Sequence, residues 1–195
     1  MRISGGIAKG VPLRVPAGDA VRPATDGLRQ ALFSSLGARV EGAVFIDLFA
    51  GSGAYGLEAL SRGAARGFFV ENNSRSLACL QRNLIAVSKS LGKAPDQLAH
   101  ISSADVGVWK PRAEDPSPDL VFVDPPYDLI VGLAPALLAR LAQWVNPAVD
   151  PLVFFETPGE ISIVSDAWIQ FKRLGGTKPR QPGISAFRLR PPDSG

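Results

Sequence analysis

Asp124-Pro125-Pro126-Tyr127 follows the apolar run Leu120-Val121-Phe122-Val123, so a carboxylate, a proline carbonyl and an aromatic ring leave the end of a buried strand together. That combination suits chemistry at the amino nitrogen of a nucleobase. Such a nitrogen is a poor nucleophile because its lone pair is delocalised into the ring. If the Asp124 carboxylate and the Pro125 carbonyl accept hydrogen bonds from its two N–H groups, the nitrogen is held and its lone pair is drawn towards an electrophile. Pro125 and Pro126 stiffen the turn and bring no N–H to compete for those acceptors. Tyr127 offers a face on which an extruded base can stack, worth roughly 1–3 kcal/mol. Taken alone, the same four residues are also an ordinary exit from a strand into a turn.

A second cluster lies upstream. Asp47-Leu48-Phe49-Ala50-Gly51-Ser52-Gly53-Ala54-Tyr55-Gly56 stands where a first strand should end. Its glycines allow a tight turn, close backbone approach to a ligand and close helix packing. Their spacing is also that of a dinucleotide-binding loop, and Glu71 lies twenty residues after Gly51, where such loops place a ribose-binding acid. The loop therefore points to a nucleoside ligand without separating a nicotinamide cofactor from S-adenosylmethionine. Asp47 tilts the choice, since a carboxylate there would face pyrophosphate in the first case and an ammonium and a sulfonium in the second. The expected cofactor contacts are Asp47, Phe49, Ala50, Gly51, Ser52, Gly53, Glu71, Asn72 and Asp124, with Asp105 a candidate acceptor for an adenine amino group. In-line displacement at a sulfonium methyl depends on orientation, which can lower a barrier by about 7–11 kcal/mol. The proton leaves after the nitrogen is methylated, so no histidine base is required, and the sequence holds only His100.

The elements that must position these groups can be read from periodicity. Arg2–Ser4 and Val11–Val15, around Lys9-Gly10, predict a β-hairpin closed by Arg22-Pro23, because the residue before proline avoids helical geometry. Thr25 or Asp26 is placed to cap a helix with Leu28, Ala31, Leu32, Ser35 and Leu36 on its apolar face. Strands are expected at Val44–Ile46, Gly67–Val70, Leu98–Ser102, Asp119–Val123 and Leu152–Glu156. Helices follow the glycine loop to about Arg62, run from Ser74 with Leu77, Leu80, Leu84 and Val87 inward, and span Val131–Trp144. Two further β segments lie near Trp168–Leu174 and Ile184–Leu189. Alternating strands and helices argue for an α/β fold, a mostly parallel sheet with helices on both faces, and the late β run argues for an antiparallel edge. That is the shape of the class I, Rossmann-like methyltransferase fold.

The bulk numbers are permissive. The 195 residues fit one domain, expected to divide into an N-terminal hairpin extension (1–24) and a catalytic core (25–195). No run approaches the roughly 20 apolar residues of a membrane span, and no secretory signal is evident, so a cytoplasmic setting without membrane attachment is expected. One cysteine and one histidine argue against a disulfide or a cysteine- or histidine-based metal site. Net charge is +3, unevenly spread: residues 1–29 carry +3, residues 165–195 carry +4 and the middle carries −4. Should the two ends converge in the fold, they would form a cationic rim suited to phosphates.

Together these residues resemble the small bacterial 16S rRNA guanine-N2 methyltransferases of the RsmD type. The resemblance covers nearly the whole chain. It is carried by Arg2-Ile3-Ser4-Gly5-Gly6, Arg22-Pro23, Thr25-Asp26, Arg29, Ala31-Leu32-Phe33, the Asp47–Gly56 loop, Glu58–Ala64 and Asp124-Pro125-Pro126-Tyr127. It implies S-adenosylmethionine as cofactor and N2 of one guanine in 16S rRNA, free or in an assembling 30S subunit, as substrate. It further implies an N-terminal unit that grips RNA, with Arg22, Thr25 and Arg29 lining the substrate mouth beside Tyr127; nothing in the sequence calls for a dimer, so a monomer without a metal is expected. Ala24 and Gly27 stand where the family usually has a hydroxyl residue and a basic one, and the Gly175–Gly183 segment is longer and richer in proline than the family loop. The alternatives are a DNA or other RNA amino-methyltransferase acting on adenine N6 or cytosine N4, an NAD-dependent oxidoreductase, and an RNA-binding protein that kept the fold.

Overall fold

The computed structural model describes residues 1–17 and 23–191, with only the backbone at positions 23–25. Seven strands form one sheet: β1 (Val44–Leu48), β2 (Arg66–Glu71), β3 (Ala99–Ser103), β4 (Leu120–Val123), β5 (Leu152–Pro158), β6 (Trp168–Gly175) and β7 (Pro182–Leu189). Their order is β3-β2-β1-β4-β5-β7-β6. β1 to β5 run parallel, β7 pairs antiparallel with β5, and β6 antiparallel with β7. The expected parallel sheet with an antiparallel edge is therefore present. The chain winds outward from β1 to β3, then returns to place β4 beside β1. At such a reversal the crossover connections diverge and leave a crevice at the carboxyl ends of the strands.

Helices cover both faces. α1 (Pro23–Leu36), α2 (Ala54–Ser61) and α3 (Ser74–Leu91) bury Leu32, Phe33, Tyr55, Leu57, Leu80, Leu84 and Val87 against Phe45, Phe69, Phe122 and Phe154. α5 (Ile130–Trp144) buries Ile130, Leu137, Leu138 and Leu141 against Ile46, Leu48, Val121, Val123, Val153 and Phe155 on the other face. A short α4 (Pro95–Leu98) precedes β3. The central strands are apolar on both faces because helices cover both, and that is why they read as continuous runs rather than alternations.

Three local expectations are corrected. The N-terminal hairpin is short: an antiparallel bridge joins Arg2 and Pro12, and backbone bonds run from Ile3 N–H to the Val11 carbonyl, Gly10 N–H to Ile3 and Leu13 N–H to Met1, while Pro12 and Pro16 cannot donate to a longer ladder. What holds residues 1–17 is the core beneath them. Glu58, fully buried, accepts from the Ser4 N–H and Oγ and from Arg62 Nε. Ser61 Oγ donates to the Gly5 carbonyl and accepts from the Ala8 N–H. Buried Asn83 accepts from the Arg14 N–H and donates to the Arg14 and Ser52 carbonyls, joining this arm, α3 and the glycine loop. Second, α1 begins at Pro23, so Thr25 and Asp26 lie in its first turn and do not cap it; proline suits a first helical position, which needs no N–H. Third, Ala31 and Ser35 are exposed while Phe33 is buried, so the inward stripe of α1 is Leu28, Leu32, Phe33 and Leu36.

Candidate active site

Side chains alternate faces along a strand, so the registers show which acids share a face. Asp47 stands opposite Phe69 of β2 and Phe122 of β4. Glu71 and Asp124 lie two residues beyond those partners, on the same face. Val123 pairs with Phe155, which sets Asp124 beside Glu156 at the next step. Glu71, Asp124 and Glu156 thus form a row across the carboxyl edge of the sheet, with Asp47 one layer deeper. All four line a cleft of about 870 Å³ together with Phe49, Ala50, Gly51, Ser52, Asn72, Pro125, Pro126 and Tyr127.

The glycine loop is built around these acids. Gly53 sits in left-handed geometry (φ 85°), and a Cβ there would meet Leu80 Cδ1 at 2.4 Å, so α3 packs where a side chain would stand. Phe49 carries φ 58°, an unusual conformation for a residue with a side chain. Three of the loop's glycine amide hydrogens are turned into the fold. Gly51 N–H donates to Glu71 Oε2 at 2.8 Å, Gly53 N–H to the Ala50 carbonyl at 2.7 Å, and Gly56 N–H to Asp47 Oδ2 at 2.9 Å. A pyrophosphate needs such N–H groups pointing at it; here carboxylates and a carbonyl have taken them. Glu71 also accepts from the N–H groups of Asn72 and Asn73 through Oε1, bracing the turn into α3. A cleft lined with acids fits a ligand that brings positive charge and hydroxyls.

Burial sets the protonation of Asp47 and Asp124. Asp47 is 1% exposed, and desolvation, opposed by the Gly56 hydrogen bond and reinforced by the Glu71 charge, pushes its pKa up to about 8. Asp124 is also held well above the usual carboxylate range, first by desolvation and then by the charges of Glu156 and Asp47. The Tyr55 ring stacks on Phe122 at 5.7 Å, and its hydroxyl donates to Glu156 Oε2 at 2.5 Å. Burial and the charges of Glu156 and Asp124 raise the Tyr55 pKa well above its ordinary value.

Most of the expected site residues meet in this cleft, and three do not. Gly53 shapes the loop without lining the cleft. Asp105 is exposed, does not line the cleft, and accepts from the Gly107 N–H at 2.6 Å in the turn after β3. Arg29, expected at the substrate mouth, is 3% exposed. Its guanidinium donates to Asp26 and to the Arg2 carbonyl and lies 3.4 Å from Glu58. A cation must reach solvent to grip a phosphate, and this one is spent inside the fold. Arg22 and the side chain of Thr25 lie outside the described residues. The sequence reading missed Glu156, Tyr55, Asn73 and Ser76 as cleft residues. Glu156 had a signal that could have been used: like Glu71 and Asp124, it is an acid closing an apolar strand run.

Comparison with known proteins agrees with this geometry. A family model described as "Conserved hypothetical protein 95" matches residues 1–185. The chain is 29% identical to the ribosomal RNA small subunit methyltransferase D of Haemophilus influenzae over 192 residues, 97% of this chain and 92% of that one. It is 37% identical to the protein of the same name in Escherichia coli K12 over 127 residues, 65% of this chain and 60% of that relative. A solved Escherichia coli structure, provisionally described as the methyltransferase yhhF, superposes with a TM-score of 0.74 at 26% identity, covering 97% and 98% of the two chains.

Proposed function

The chain belongs to the conserved hypothetical protein 95 family, and from that premise we propose that it methylates the exocyclic N2 of a guanine in 16S ribosomal RNA. Its fold is that of the class I methyltransferases, and its methyl donor is S-adenosylmethionine. Its relatives carry a small-subunit ribosomal RNA methyltransferase name, which supports ribosomal RNA as the methyl acceptor. The observation that carries the reading is Asp124-Pro125-Pro126-Tyr127 opening into the acid-lined cleft directly beside the glycine loop.

When bound, S-adenosylmethionine supplies a sulfonium-linked methyl carbon, to which the amine lone pair bonds as the carbon–sulfur pair passes to sulfur. The chain's own residues do the rest. Asp47 sits where its carboxylate balances the donor's positive charges, Glu71 where it accepts from ribose hydroxyls, and Phe49 and Asn72 flank them. Asp124 and the Pro125 carbonyl accept from the two N–H groups of the amine and aim its lone pair. Tyr127, in the short helical turn Tyr127–Leu129, presents its ring to the base. After transfer the nitrogen is acidic and loses its proton, so the site needs no histidine base.

The substrate rim assembles from both ends of the chain. α1 packs against β6 and β7, and the turn between those strands stands at the same sheet edge as the cleft, because Gly175 and Gly183 pair beyond Leu174 and Ile184. Gly159, just past β5, lies so close to this turn that a Cβ would meet the Lys178 carbonyl oxygen at 2.3 Å. Exposed Lys178 and Arg180 are thereby carried to the mouth, and with the arm residues Met1, Val15 and Pro16, which line the cleft, they form the RNA-facing rim of a monomeric enzyme. The test of the central residue is Asp124→Ala. Methyl transfer to ribosomal RNA should fall by at least about 10²–10³-fold, while S-adenosylhomocysteine binding, measured by calorimetry, stays within a few-fold. Unchanged turnover would remove Asp124 from the reaction.

A further inference from the structure

Glu156, given no role in the transfer above, is 4% exposed, lines the cleft and stands beside Asp124 on the neighbouring strand. Its position is maintained from below. Tyr55 donates to Oε2, the Tyr55 ring is stacked on Phe122, and Phe122 on Phe154. The packing of Tyr55, Phe122, Phe154 and Ile184 under the carboxylate leaves no space for a water molecule. This support orients a charge that the fold could have omitted, since an apolar residue there would cost nothing in desolvation.

Resting on the function proposed above, we infer that Glu156, held by Tyr55, is the base-selecting subsite and accepts a hydrogen bond from guanine N1–H while Asp124 accepts from N2–H. An enzyme that reads an extruded base does so along its Watson–Crick edge. Guanine presents there two adjacent donors, N1–H and the N2 amino group. Adenine presents a ring-nitrogen acceptor beside its N6 amino group, and cytosine one beside its N4 amino group. Neighbouring strands are about 4.8 Å apart, so two strand-end carboxylates side by side offer acceptors to two adjacent donors. Against adenine or cytosine, the Glu156 carboxylate would face a ring-nitrogen lone pair in place of a donor, a repulsive contact in a partly dry site. A carboxylate has about four lone-pair positions, so holding the Tyr55 hydroxyl is compatible with accepting from a base. That Glu156 raises the Asp124 pKa fits two carboxylates that face one another until a donor-rich edge comes between them.

The experiment compares 16S rRNA carrying guanosine at the methylated position with the same RNA carrying 2-aminopurine riboside, which keeps the N2 amino group but has a bare N1. Wild-type enzyme should methylate the 2-aminopurine RNA with a kcat/KM lower by about 100-fold or more, since a site built around a donor rejects an analogue lacking it. Glu156→Gln, whose amide can donate to the bare N1, should bring the two RNAs within about 10-fold of each other. Tyr55→Phe, which keeps the ring and removes the hydroxyl, should narrow the gap partway. All three proteins should bind S-adenosylhomocysteine alike. Equal use of both RNAs by the wild type overturns the proposal, and that result needs no variant. A large preference for guanosine that Glu156→Gln leaves unchanged also overturns it, assigning the selection to guanine O6. Absence of transfer even to guanosine overturns the function reading and this proposal together, which separates that failure from the other two.

Discussion

Asp47 shows how one residue serves both the fold and the ligand. It closes the loop by accepting from Gly56 and is buried enough to hold its pKa near about 8. Between the ordinary carboxylate range and about 8, the folded protein therefore holds a proton at Asp47 that the unfolded chain does not. Stability should fall as pH rises across that window. A donor bringing an ammonium and a sulfonium favours the ionised form, so binding should expel that proton. Calorimetry of S-adenosylmethionine in buffers of different ionisation enthalpy should show net proton release at pH 6–7, and affinity should rise with pH and level off above about 8. An affinity that does not change between pH 6 and 8 would mean Asp47 stays neutral in the complex. This residue, Glu71 and Asp124 were legible because each is an acid ending an apolar run. Glu156 obeys the same rule but belongs to no motif, and only the β4–β5 register puts it beside Asp124.

At the scale of elements, the strands and the helices after the glycine loop were readable from periodicity, while the seating of the N-terminal arm was not. The arm's short hairpin is anchored to the core by Glu58, Ser61 and Asn83, polar residues inside otherwise apolar helix faces. Burial of this kind depends on tertiary contacts that no local pattern records. Arg29 is buried through contacts of the same kind. Arg29→Glu should therefore destabilise the protein by roughly 3–5 kcal/mol, as expected when one partner of a buried ion pair is lost, which chemical denaturation would measure. An intact fold with weakened RNA binding would instead return Arg29 to the surface role. The double variant Lys178→Glu, Arg180→Glu has the opposite expectation: unchanged stability, weaker RNA binding, and a dependence of log K on log salt shallower by about 1–2. If RNA affinity and its salt slope do not move, the β6–β7 turn is not part of the rim. Gly53→Ala probes the loop itself. Positive φ and the clash with Leu80 should cost about 1–3 kcal/mol and weaken binding of S-adenosylhomocysteine, readable as a lower melting temperature and a raised Kd.

For the whole molecule, the fold concentrates opposite charges at one sheet edge: an acidic cleft for a cationic donor, with cations from the far end of the sequence beside it. Sequence charge alone gave two basic ends and an acidic middle; the packing of α1 on β6 and β7 brings the ends together. No helix among the described residues is long and apolar enough to cross a membrane. The most direct test is methyl transfer from labelled S-adenosylmethionine to unmodified 16S rRNA, free and in 30S particles, with the modified nucleoside identified by mass. This account expects N2-methylguanosine at a single site. Methylation of adenine or cytosine, or transfer to DNA in place of ribosomal RNA, would contradict it.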